Sequence, residues 1–372
     1  MNIVIISAAF PLRGGIAHSA GLLYKELRKR NDVKVITFSR QYPKIFFPGT
    51  SQTEEEDSSN KIPSEVILDS INPLNWLKVA KHIITLNPDL VIFKHWLPFF
   101  APCYGIIAGR LKKKNITLLA ICHNIIPHEK RPGDLLLSKF FLKKMDYFVL
   151  LSEQVKNDLE TIINNAKTKV LPLPIFSIFG QNVSKKHARE KLKLMYEKII
   201  LFFGFIRDYK GLDTLIEALA IVRRNMDVTL VVAGEFYSDK QKYLDLINKA
   251  NLQNSIVLKN DFIPTADVKY YFSAADAVIL PYKSATQSGI VQVAVNFEKA
   301  VIATDVGGIS EVIRDRQEGY IVEKENPNAL ADAIIRFYSE EREFEFTINM
   351  NQLKEKYSWK NFVKGMYELI NS

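Results

Sequence analysis

Short apolar runs alternate with segments of helical periodicity along most of the chain. Ile3–Ile6 and Ile199–Phe203 are apolar at every position, which is typical of strands buried on both faces of a parallel sheet. After the second run, Leu212, Leu215 and Leu219 recur at the three- and four-residue spacing that predicts an amphipathic helix. This alternation of strands and helices predicts an α/β fold, with parallel sheets covered by helices on both faces.

The pattern divides into two comparable halves. In the first, strands are predicted at Ile3–Ile6, Val33–Phe38, Glu65–Leu68, Asp89–Lys94, Ile116–Ile121, Tyr147–Leu151 and Lys169–Leu173, with helices at 74–86, 102–113, 135–144 and 153–163. Ser19 is predicted to cap the first helix, which would run to Arg30, and residues 41–64 are predicted to form a long polar loop. In the second half, strands are predicted at Ile199–Phe203, Val228–Ala233, Ile256–Lys259, Ala277–Leu280, Val301–Thr304 and Tyr320–Val322, with helices at 212–224, 240–250, 266–274, 290–298, 327–338 and 358–370.

A linker is predicted between the halves, over Ile175–Lys186, because Pro172 and Pro174 precede it and no strand or helix pattern crosses it. Two doubly wound domains in tandem are therefore expected, with a cleft between them. Proteins of this class bind ligands at the carboxyl ends of their strands. The loops that follow the strands are therefore the places to look for functional residues.

Composition is that of a globular protein with large cores. The 372 residues suit about two domains, and 47% are hydrophobic while 24% are charged. Cys103 and Cys122 stand apart from any metal-binding pattern, so a reducing cytosol is expected rather than a zinc site or a disulfide framework. Met1–Ser7 is predicted to be a core strand and lacks the features of a signal peptide. No apolar run approaches the ~20 residues of a membrane span.

The excess positive charge is confined to the first half. Residues 1–180 carry 24 Lys and Arg against 15 Asp and Glu, whereas residues 181–372 carry 26 of each. Clusters lie at Lys25–Arg30, Arg110–Lys114 and Lys139–Lys144. Such a basic, partly apolar face suits nucleic acid or an anionic membrane, or is a scattered solvated surface. Nucleic acid is disfavoured because no aromatic stacking platform or known binding module accompanies the charge.

The segment Gly204–Gly211 joins a predicted strand to a predicted helix and carries two cations, Arg207 and Lys210. Its place at the carboxyl edge of a parallel sheet suits an anion such as a diphosphate. Taken alone, the same segment could be a solvated loop that is merely basic.

Two glycine-containing turns could also serve an anion. Gly14, Gly15 and Ile16 follow the first strand and open a helix, and Gln287 to Ile290 precede the helix at 290–298. Free backbone N–H groups at a helix N-terminus attract phosphate. Each turn alone could instead be a simple tight connection.

His123, Asn124 and His128 follow the predicted strand at Ile116–Ile121. Together with His95, at the end of the preceding strand, they are candidates for binding a polar acceptor. Ordinary hydrogen bonding within a loop is the alternative. Their spacing does not suit a metal, and the chain has no Asp-x-Asp pair, so no metal site is predicted.

These motifs, in this order, resemble the GT-B-fold glycosyltransferases of family 4, also called glycosyl transferases group 1. Gly14–Ile16 is similar to the family's N-terminal Gly-Gly loop, and Gly204-x-x-Arg207-x-x-Lys210-Gly211 to its donor-diphosphate motif. The segments 275–281 and 301–313 are similar to its C-terminal signature, and His123 stands where many members carry a histidine near the transferred sugar.

The resemblance implies transfer of a sugar from a nucleotide diphosphate sugar with retention at the anomeric carbon and with no required metal or cofactor. It implies domains at 1–178, with 359–372 packing back on it, and at 186–358. His123, Arg207 and Lys210 would be catalytic. The implied donor-binding residues are Gly14, Gly15, Ile16, Gly204, Phe262, Ile263, Gln287, Ser288, Gly289 and Ile290.

The chain departs from the family at one pair of positions. The family usually has two glutamates, separated by seven residues, of which the first contacts the donor sugar and the second the ribose. Here the first position falls near Ala285 or Thr286 and the second near Val293, and none of these is acidic. The resemblance therefore implies a variant in which Gln287, Ser288 and Gln292 are candidate replacements.

The expected acceptor is a saccharide or a lipid-linked saccharide in cell-envelope synthesis. The basic first half suggests a cytoplasmic protein that contacts the anionic inner face of a membrane. Because the glutamates are missing, a non-catalytic GT-B protein that binds a glycan or a partner enzyme is the main alternative. An oxidoreductase is disfavoured because the dinucleotide fingerprint is absent.

Overall fold

A computed structural model describes residues 1–43, 53, 61–127 and 131–372. Most of the predicted polar loop 41–64, and His128, lie outside the described residues. The chain forms two compact units, one of Met1–Pro174 with Tyr357–Ser372 and the other of Ile175–Lys356. Among the described residues, no helix is both long enough and apolar enough to span a bilayer.

The first unit is built on a parallel sheet. Its elements are β1 (Asn2–Ile6), α1 (Gly15–Leu27), β2 (Asp32–Arg40), β3 (Glu65–Asp69), α2 (Pro73–Thr85), β4 (Leu90–His95), α3 (Ala101–Lys112), β5 (Thr117–Cys122), α4 (Asp134–Leu142), β6 (Tyr147–Leu150), α5 (Glu153–Glu160) and β7 (Thr168–Val170). Within the described residues the strand order is β3-β2-β1-β4-β5-β6-β7. The order reverses between β1 and β4, which pair through Ile3–Leu90 to Ile6–Phe93.

The second unit repeats this architecture. Its elements are α6 (Lys185–Leu192), β8 (Ile199–Phe203), α7 (Leu212–Val222), β9 (Thr229–Ala233), α8 (Lys240–Lys249), β10 (Ile256–Lys259), α9 (Val268–Ala274), β11 (Ala277–Leu280), α10 (Gly289–Asn296), β12 (Ala300–Thr304), α11 (Ile309–Val312), β13 (Gly319–Val322), α12 (Pro327–Ser339) and α13 (Glu343–Lys356). The described strands follow the order β10-β9-β8-β11-β12-β13, so this sheet reverses between β8 and β11.

The last helix, α14 (Trp359–Ile370), belongs to the first unit. Its apolar side, with Met366 fully buried, packs against α1 and the β6–β7 edge. Asn31 Nδ2 donates a hydrogen bond to the Tyr367 hydroxyl at 2.9 Å, and Lys169 pairs with Glu368 at 2.6 Å. The chain therefore returns to its first unit after completing the second.

The predicted N-cap at Ser19 is wrong. The helix α1 begins at Gly15, and Gly14 is the N-cap residue with a φ of 105°. Ser19 lies buried inside the helix, where its hydroxyl donates to the Ile16 carbonyl at 3.0 Å. A positive φ at Gly14 lets the chain turn sharply out of the loop, so the helix starts five residues earlier than the polar pattern suggested.

The predicted linker is also wrong, because Ile175–Lys186 is part of the second unit. Asn182 Nδ2 donates to the Phe297 carbonyl at 3.2 Å, and the segment ends in the unpredicted helix α6. Lys185 and Arg189 of α6 both contact the buried carboxylate of Asp276, at 2.7 and 2.9 Å. Charge pairing rather than apolar burial holds this helix, so a search for apolar periodicity misses it.

Candidate active site

The point where the second sheet reverses direction collects most of the predicted donor residues. The loops after β8 and β11 leave neighbouring, paired strands. The carboxyl edge at such a reversal point is where open α/β sheets bind ligands. Gly204–Gly211 follows β8, and residues 281–288 follow β11.

The loop after β8 turns back on itself so that Lys210 points at its own beginning. Gly204 has a φ of 99°, residues Asp208–Lys210 form one turn of 3-10 helix, and Gly211 is the N-cap of α7 with a φ of 70°. A Cβ on Gly204 would lie 3.1 Å from Lys210 Nζ and 3.4 Å from Ile290 Cδ1. The sequence-predicted residues Gly204, Lys210 and Ile290 therefore meet at one place.

Lys210 is a buried cation, with 8% of its surface exposed. Burial, and then the positive charge of Arg207, lower the pKa of the Lys210 amine to about 7. Among the residues that the structure describes, no carboxylate lies within ion-pair distance of Lys210 Nζ. Its nearby aromatic group is Tyr282, whose ring centroid lies 5.7 Å away. A buried ammonium without a carboxylate is costly on its own and suits an anionic ligand.

Arg207 is less buried than Lys210 and is held differently. Its guanidinium lies 5.2 Å from the centroid of the Tyr237 ring, which itself stacks on Phe205 at 4.6 Å. The neighbouring carboxylate of Asp208 accepts hydrogen bonds from Lys242 at 3.2 Å and from the Tyr243 hydroxyl at 3.1 Å. The loop is thereby tethered to α8.

The loop after β11 is locked against the loop after β8. A Cβ on Gly211 would meet the Pro281 carbonyl oxygen at 1.9 Å, so only glycine permits this approach. The Lys283 amide donates to the Tyr209 carbonyl at 2.7 Å, and its ammonium pairs with Asp213 at 2.7 Å. The two loops therefore form one rigid wall.

The N-terminus of α10 faces the same region. Ser288 is its N-cap residue, but its side chain makes no capping hydrogen bond to the helix, and no acidic residue stands in the first turn. Gly289 begins the helix, beside the Phe176 ring. The amides of this turn and their partial positive charge are therefore available to an anion.

The loop after β12 supports this arrangement from the other side. A Cβ on Gly307 would lie 1.7 Å from the Ala285 carbonyl oxygen, and the Gly308 amide donates to the Thr286 carbonyl at 3.0 Å. The Thr304 hydroxyl donates to the Tyr282 carbonyl at 2.5 Å. The segment that resembles the family's C-terminal signature thus shapes the loop before α10.

The positions of the two missing glutamates are buried. Thr286 and Val293 are closed to solvent, and Gln292 has only 2% of its surface exposed. The side-chain oxygen of Gln292 has no hydrogen-bond partner among the described residues. Gln287 is half-buried, as are Phe262 and Ile263, which follow β10 two strands away from β8.

In the first unit, the reversal point brings the Gly14–Gly15 loop, after β1, next to the end of β4. No atom of the residues that the structure describes lies within 4 Å of a Cβ added to either glycine, so among them open space lies above this turn. The helix that follows has no side-chain cap and no acidic residue in its first turn. Its N-terminal amides are available to a ligand.

His95 and His123 lie at the carboxyl ends of neighbouring strands. The His123 amide donates to the His95 carbonyl at 2.8 Å, and both side chains are buried. Burial lowers the pKa of His95 to about 4. Burial, then the charges of Lys94 and His95, lower the pKa of His123 well below its usual value. Both imidazoles are therefore neutral at physiological pH.

Lys94 was not predicted as a site residue. Its side chain is buried, its amine donates to the Ser19 hydroxyl, and Ile16 O lies 3.5 Å from Nζ. Burial lowers the pKa of the Lys94 amine to about 7. The available signal was a lysine inside an otherwise apolar strand.

Of the two remaining acceptor-side candidates, the structure describes one. Asn124 lies beside His123, and its amide nitrogen is 3.5 Å from the Trp96 carbonyl. His128 lies outside the described residues. Within the described parts of the chain, no three His, Cys, Asp or Glu residues cluster as metal ligands would.

Two family profiles match the chain. The one described as Glycosyltransferase Family 4 matches residues 13–175, and the one described as Glycosyl transferases group 1 matches residues 197–340. An uncharacterized glycosyltransferase of Methanocaldococcus jannaschii is 29% identical over 171 residues, which are 45% of this chain but only 43% of the relative. A second one from that organism is 25% identical over 387 residues, covering 98% of this chain and 97% of the relative.

Solved structures share the whole fold. HepE of Anabaena, in complex with UDP, has a TM-score of 0.78 at 18% identity, with 100% of both chains covered. The lipopolysaccharide outer core galactosyltransferase WaaB, in its apo form, has a TM-score of 0.70 at 16% identity, with 99% of both chains covered. At such identities the likeness shows the fold alone. With both profiles matched along most of its length, the chain belongs to glycosyltransferase family 4 and is a glycosyltransferase with the GT-B fold.

Proposed function

We propose that this glycosyltransferase moves a hexose from a nucleotide diphosphate sugar to a saccharide or a lipid-linked saccharide, with retention at the anomeric carbon. The observation that carries the proposal is Lys210, a buried ammonium with no carboxylate partner among the described residues, beside the open N-terminus of α10. A diphosphate would supply the missing negative charge. The similar fold of HepE, whose structure was solved in complex with UDP, supports a nucleotide donor.

Several groups of the second unit together stabilise the leaving group. As the glycosidic bond to the diphosphate breaks, negative charge grows on the β-phosphate oxygens. Lys210 and Arg207 bring positive charge to those oxygens, and the amides of Gly289 and Ile290 donate hydrogen bonds. Donors fixed in advance, in a site with little water, stabilise such charge more than water does. No metal ion or cofactor is part of the proposal.

In the first unit, we assign the sugar and the acceptor to the neighbourhood of His123. A neutral imidazole with a depressed pKa can donate or accept a hydrogen bond with a sugar hydroxyl without adding charge. His95 and Asn124 stand beside it as acceptor-side groups. We extend the proposal to cell-envelope glycan synthesis at the cytoplasmic side of a membrane. A relative of Bacillus subtilis named as the putative teichuronic acid biosynthesis glycosyltransferase TuaC, 25% identical over 263 residues, supports a role in polysaccharide synthesis.

A donor screen tests this function. The purified chain is incubated separately with UDP-, GDP- and dTDP-hexoses, with and without a metal chelator, and release of the nucleoside diphosphate is measured. One nucleotide sugar should be hydrolysed slowly, chelator should not change the rate, and proton NMR should show the sugar first released in the donor's anomeric configuration. Absence of both binding and hydrolysis for every donor at millimolar concentration would reject the proposal.

Donor affinity should fall as pH rises through neutrality. The Lys210 amine has a pKa of about 7 in the free protein, so a diphosphate must bind with uptake of a proton above that pH. Between about pH 6 and pH 8 the charged fraction falls about tenfold, and we expect the association constant to fall by the same factor. Calorimetry measures this association constant. The intact nucleotide sugar is the ligand to use, because its diphosphate does not titrate between about pH 6 and pH 8.

The Lys210→Arg variant is the control for this pH dependence. Arginine stays charged across the range, so its affinity, whatever its absolute value, should not change with pH. A flat profile in the wild-type protein, or an equally steep one in the variant, would show that Lys210 is not the titrating group.

Gln292 is expected to serve the donor rather than the fold. Its buried amide oxygen has no partner among the described residues, so methionine of similar volume should leave the free energy of unfolding unchanged or raise it by up to about 1–3 kcal/mol. If the oxygen accepts a donor hydroxyl, Gln292→Met should raise the KM for the nucleotide sugar about tenfold. The exposed Gln253→Met is the matched control. Unchanged kinetics in Gln292→Met would contradict this role.

A further inference from the structure

Two helices of the first unit, α2 and α4, present large apolar side chains to solvent, and α3 packs between them. The helices α2, α3 and α4 pack side by side along one face of the sheet. Leu74 on α2 is 70% exposed, and Leu136 on α4 is 75% exposed. Leu77 of α2 and Phe140 of α4 add to this exposed apolar surface. We call these three helices, with the lysines at their ends, the α2–α4 layer.

The charge of the α2–α4 layer is almost entirely positive. Over residues 73–85, 101–114 and 134–144 the sequence has a single acidic residue, Asp134. The same stretches contain Lys78, Lys81, Arg110, Lys112, Lys113, Lys114, Lys139, Lys143 and Lys144. Much of the excess charge of the first half therefore lies on these three helices, two of which carry the exposed leucines.

The helix α4 shows how the two kinds of side chain are combined. Its buried side consists of Ser138, Phe141 and Leu142, so Leu136 and Phe140, one turn apart, point the other way. Lys139 and Lys143 lie on the same outward side, where Lys139 directly precedes Phe140 and Lys143 follows it by three residues, about one helical turn. An apolar stripe with lysines beside it is the pattern of a helix that lies in a lipid–water interface.

Phe140 is fixed in its outward position by its neighbours. Its ring fills the space above Gly105 of α3, where an added Cβ would lie 2.3 Å from Phe140 Cε1. The ammonium of Lys144 lies 3.7 Å from the centroid of the same ring. The ring therefore loses little conformational freedom when another surface covers the α2–α4 layer.

The apolar ends of α2 and α4 lie at the functional edge of the sheet. In a parallel α/β unit each helix begins at the carboxyl edge and runs back along the strands. Leu74 and Leu77 stand in the first turns of α2, and Leu136 stands in the first turn of α4. The ends of β4 and β5, which carry His95 and His123, lie at that same edge.

We propose that the α2–α4 layer docks on an anionic lipid bilayer, with Leu74, Leu136 and Phe140 entering the interface and the lysines contacting the headgroups. A second copy of the chain would bring two like-charged layers together, whereas an anionic bilayer satisfies both the charge and the apolar stripe. Delivery of a lipid-linked acceptor to His95 and His123 rests on the proposed function. Lipid binding itself does not.

Flotation with vesicles tests the proposal. The full chain is mixed with equimolar phosphatidylcholine–phosphatidylglycerol vesicles, or with phosphatidylcholine alone, at low and high ionic strength. Binding is expected only to the anionic vesicles, and weaker at high salt. Leu74→Ser with Leu136→Ser should reduce the partition coefficient about tenfold or more, and Lys139→Gln with Lys143→Gln by about tenfold.

A matched control comes from the second unit. Met195 and Phe344 are 87% and 78% exposed, so Met195→Ser with Phe344→Ser removes comparable apolar surface and should leave vesicle binding unchanged. The substituted leucines are largely exposed, so circular dichroism melting should be unaltered. The proposal is overturned if the wild-type chain does not float with anionic vesicles at low salt, or if the leucine variant floats as well as wild type. It is also overturned if that variant loses self-association instead.

Donor hydrolysis without vesicles separates this proposal from the proposed function. The leucine and lysine variants should hydrolyse the nucleotide sugar at the wild-type rate, because they lie outside the donor-binding loops. If no donor is hydrolysed while vesicle binding follows the expected pattern, the proposed function is wrong and the proposed docking surface is supported.

Discussion

Replacing Lys210 with methionine is expected to lower kcat/KM for the nucleotide sugar by about 10²–10³, the effect of removing one fixed donor to a developing anion. Methionine keeps most of the side-chain volume beside Gly204 and Ile290, so the packing of the loop should survive. It also removes a buried ammonium, so the second unit should not lose stability. Steady-state hydrolysis of the donor and thermal melting measure the two effects.

The control for this prediction is a lysine of α8 that contacts the same loop. Lys242 pairs with Asp208 at 3.2 Å, but its side chain is 43% exposed. Lys242→Met should therefore change kcat/KM by no more than about twofold, as expected for an exposed ion pair. If Lys210→Met kept full turnover with an identified donor, the role given to this residue would be wrong.

Most strands could be predicted from the sequence because each is a compact apolar run. The strand predicted at Ile199–Phe203 has these bounds in the structure, and Glu65–Leu68 ends one residue short of β3. Helices without a clean apolar stripe were missed. In α13 the buried Phe346, Met350 and Leu353 do have helical spacing. The exposed Phe344, before them, and Ile348, between the first two, obscure the pattern.

The candidate site could be predicted as a set of loops but not as a set of contacts. The motif named Arg207 and Lys210 together, yet only Lys210 is buried against Gly204, and Arg207 lies over Tyr237. No sequence motif pointed to Tyr282 or Lys94 as site residues, because their place in the site depends on contacts with groups distant in sequence. Lys94 reaches Ser19, 75 residues away, which no local pattern encodes.

The two loops of the second unit act as one wall because a glycine stands where they touch. Gly211 combines a left-handed backbone with contact to the Pro281 carbonyl, and the adjacent residues Lys210 and Tyr282 lie together, with Lys210 Nζ 5.7 Å from the Tyr282 ring centroid. Their separation therefore depends on this contact. A side chain at position 211 should affect folding and donor binding together.

Gly211→Ala is accordingly expected to destabilise the second unit by about 2–5 kcal/mol, from a left-handed alanine and an overlap with Pro281. Gly133→Ala is the matched control, because Gly133 is also a left-handed N-cap, with a φ of 91°, but no atom of the described residues lies within 4 Å of an added Cβ. It should cost only about 1–2 kcal/mol, in the first unit. Hydrogen exchange resolved by peptide measures each unit separately. Gly211→Ala should also weaken donor binding, since Lys210 and Tyr282 must move apart, whereas Gly133→Ala should not. Equal destabilisation by the two alanines would show that backbone strain alone, and not contact between the loops, makes glycine necessary at position 211.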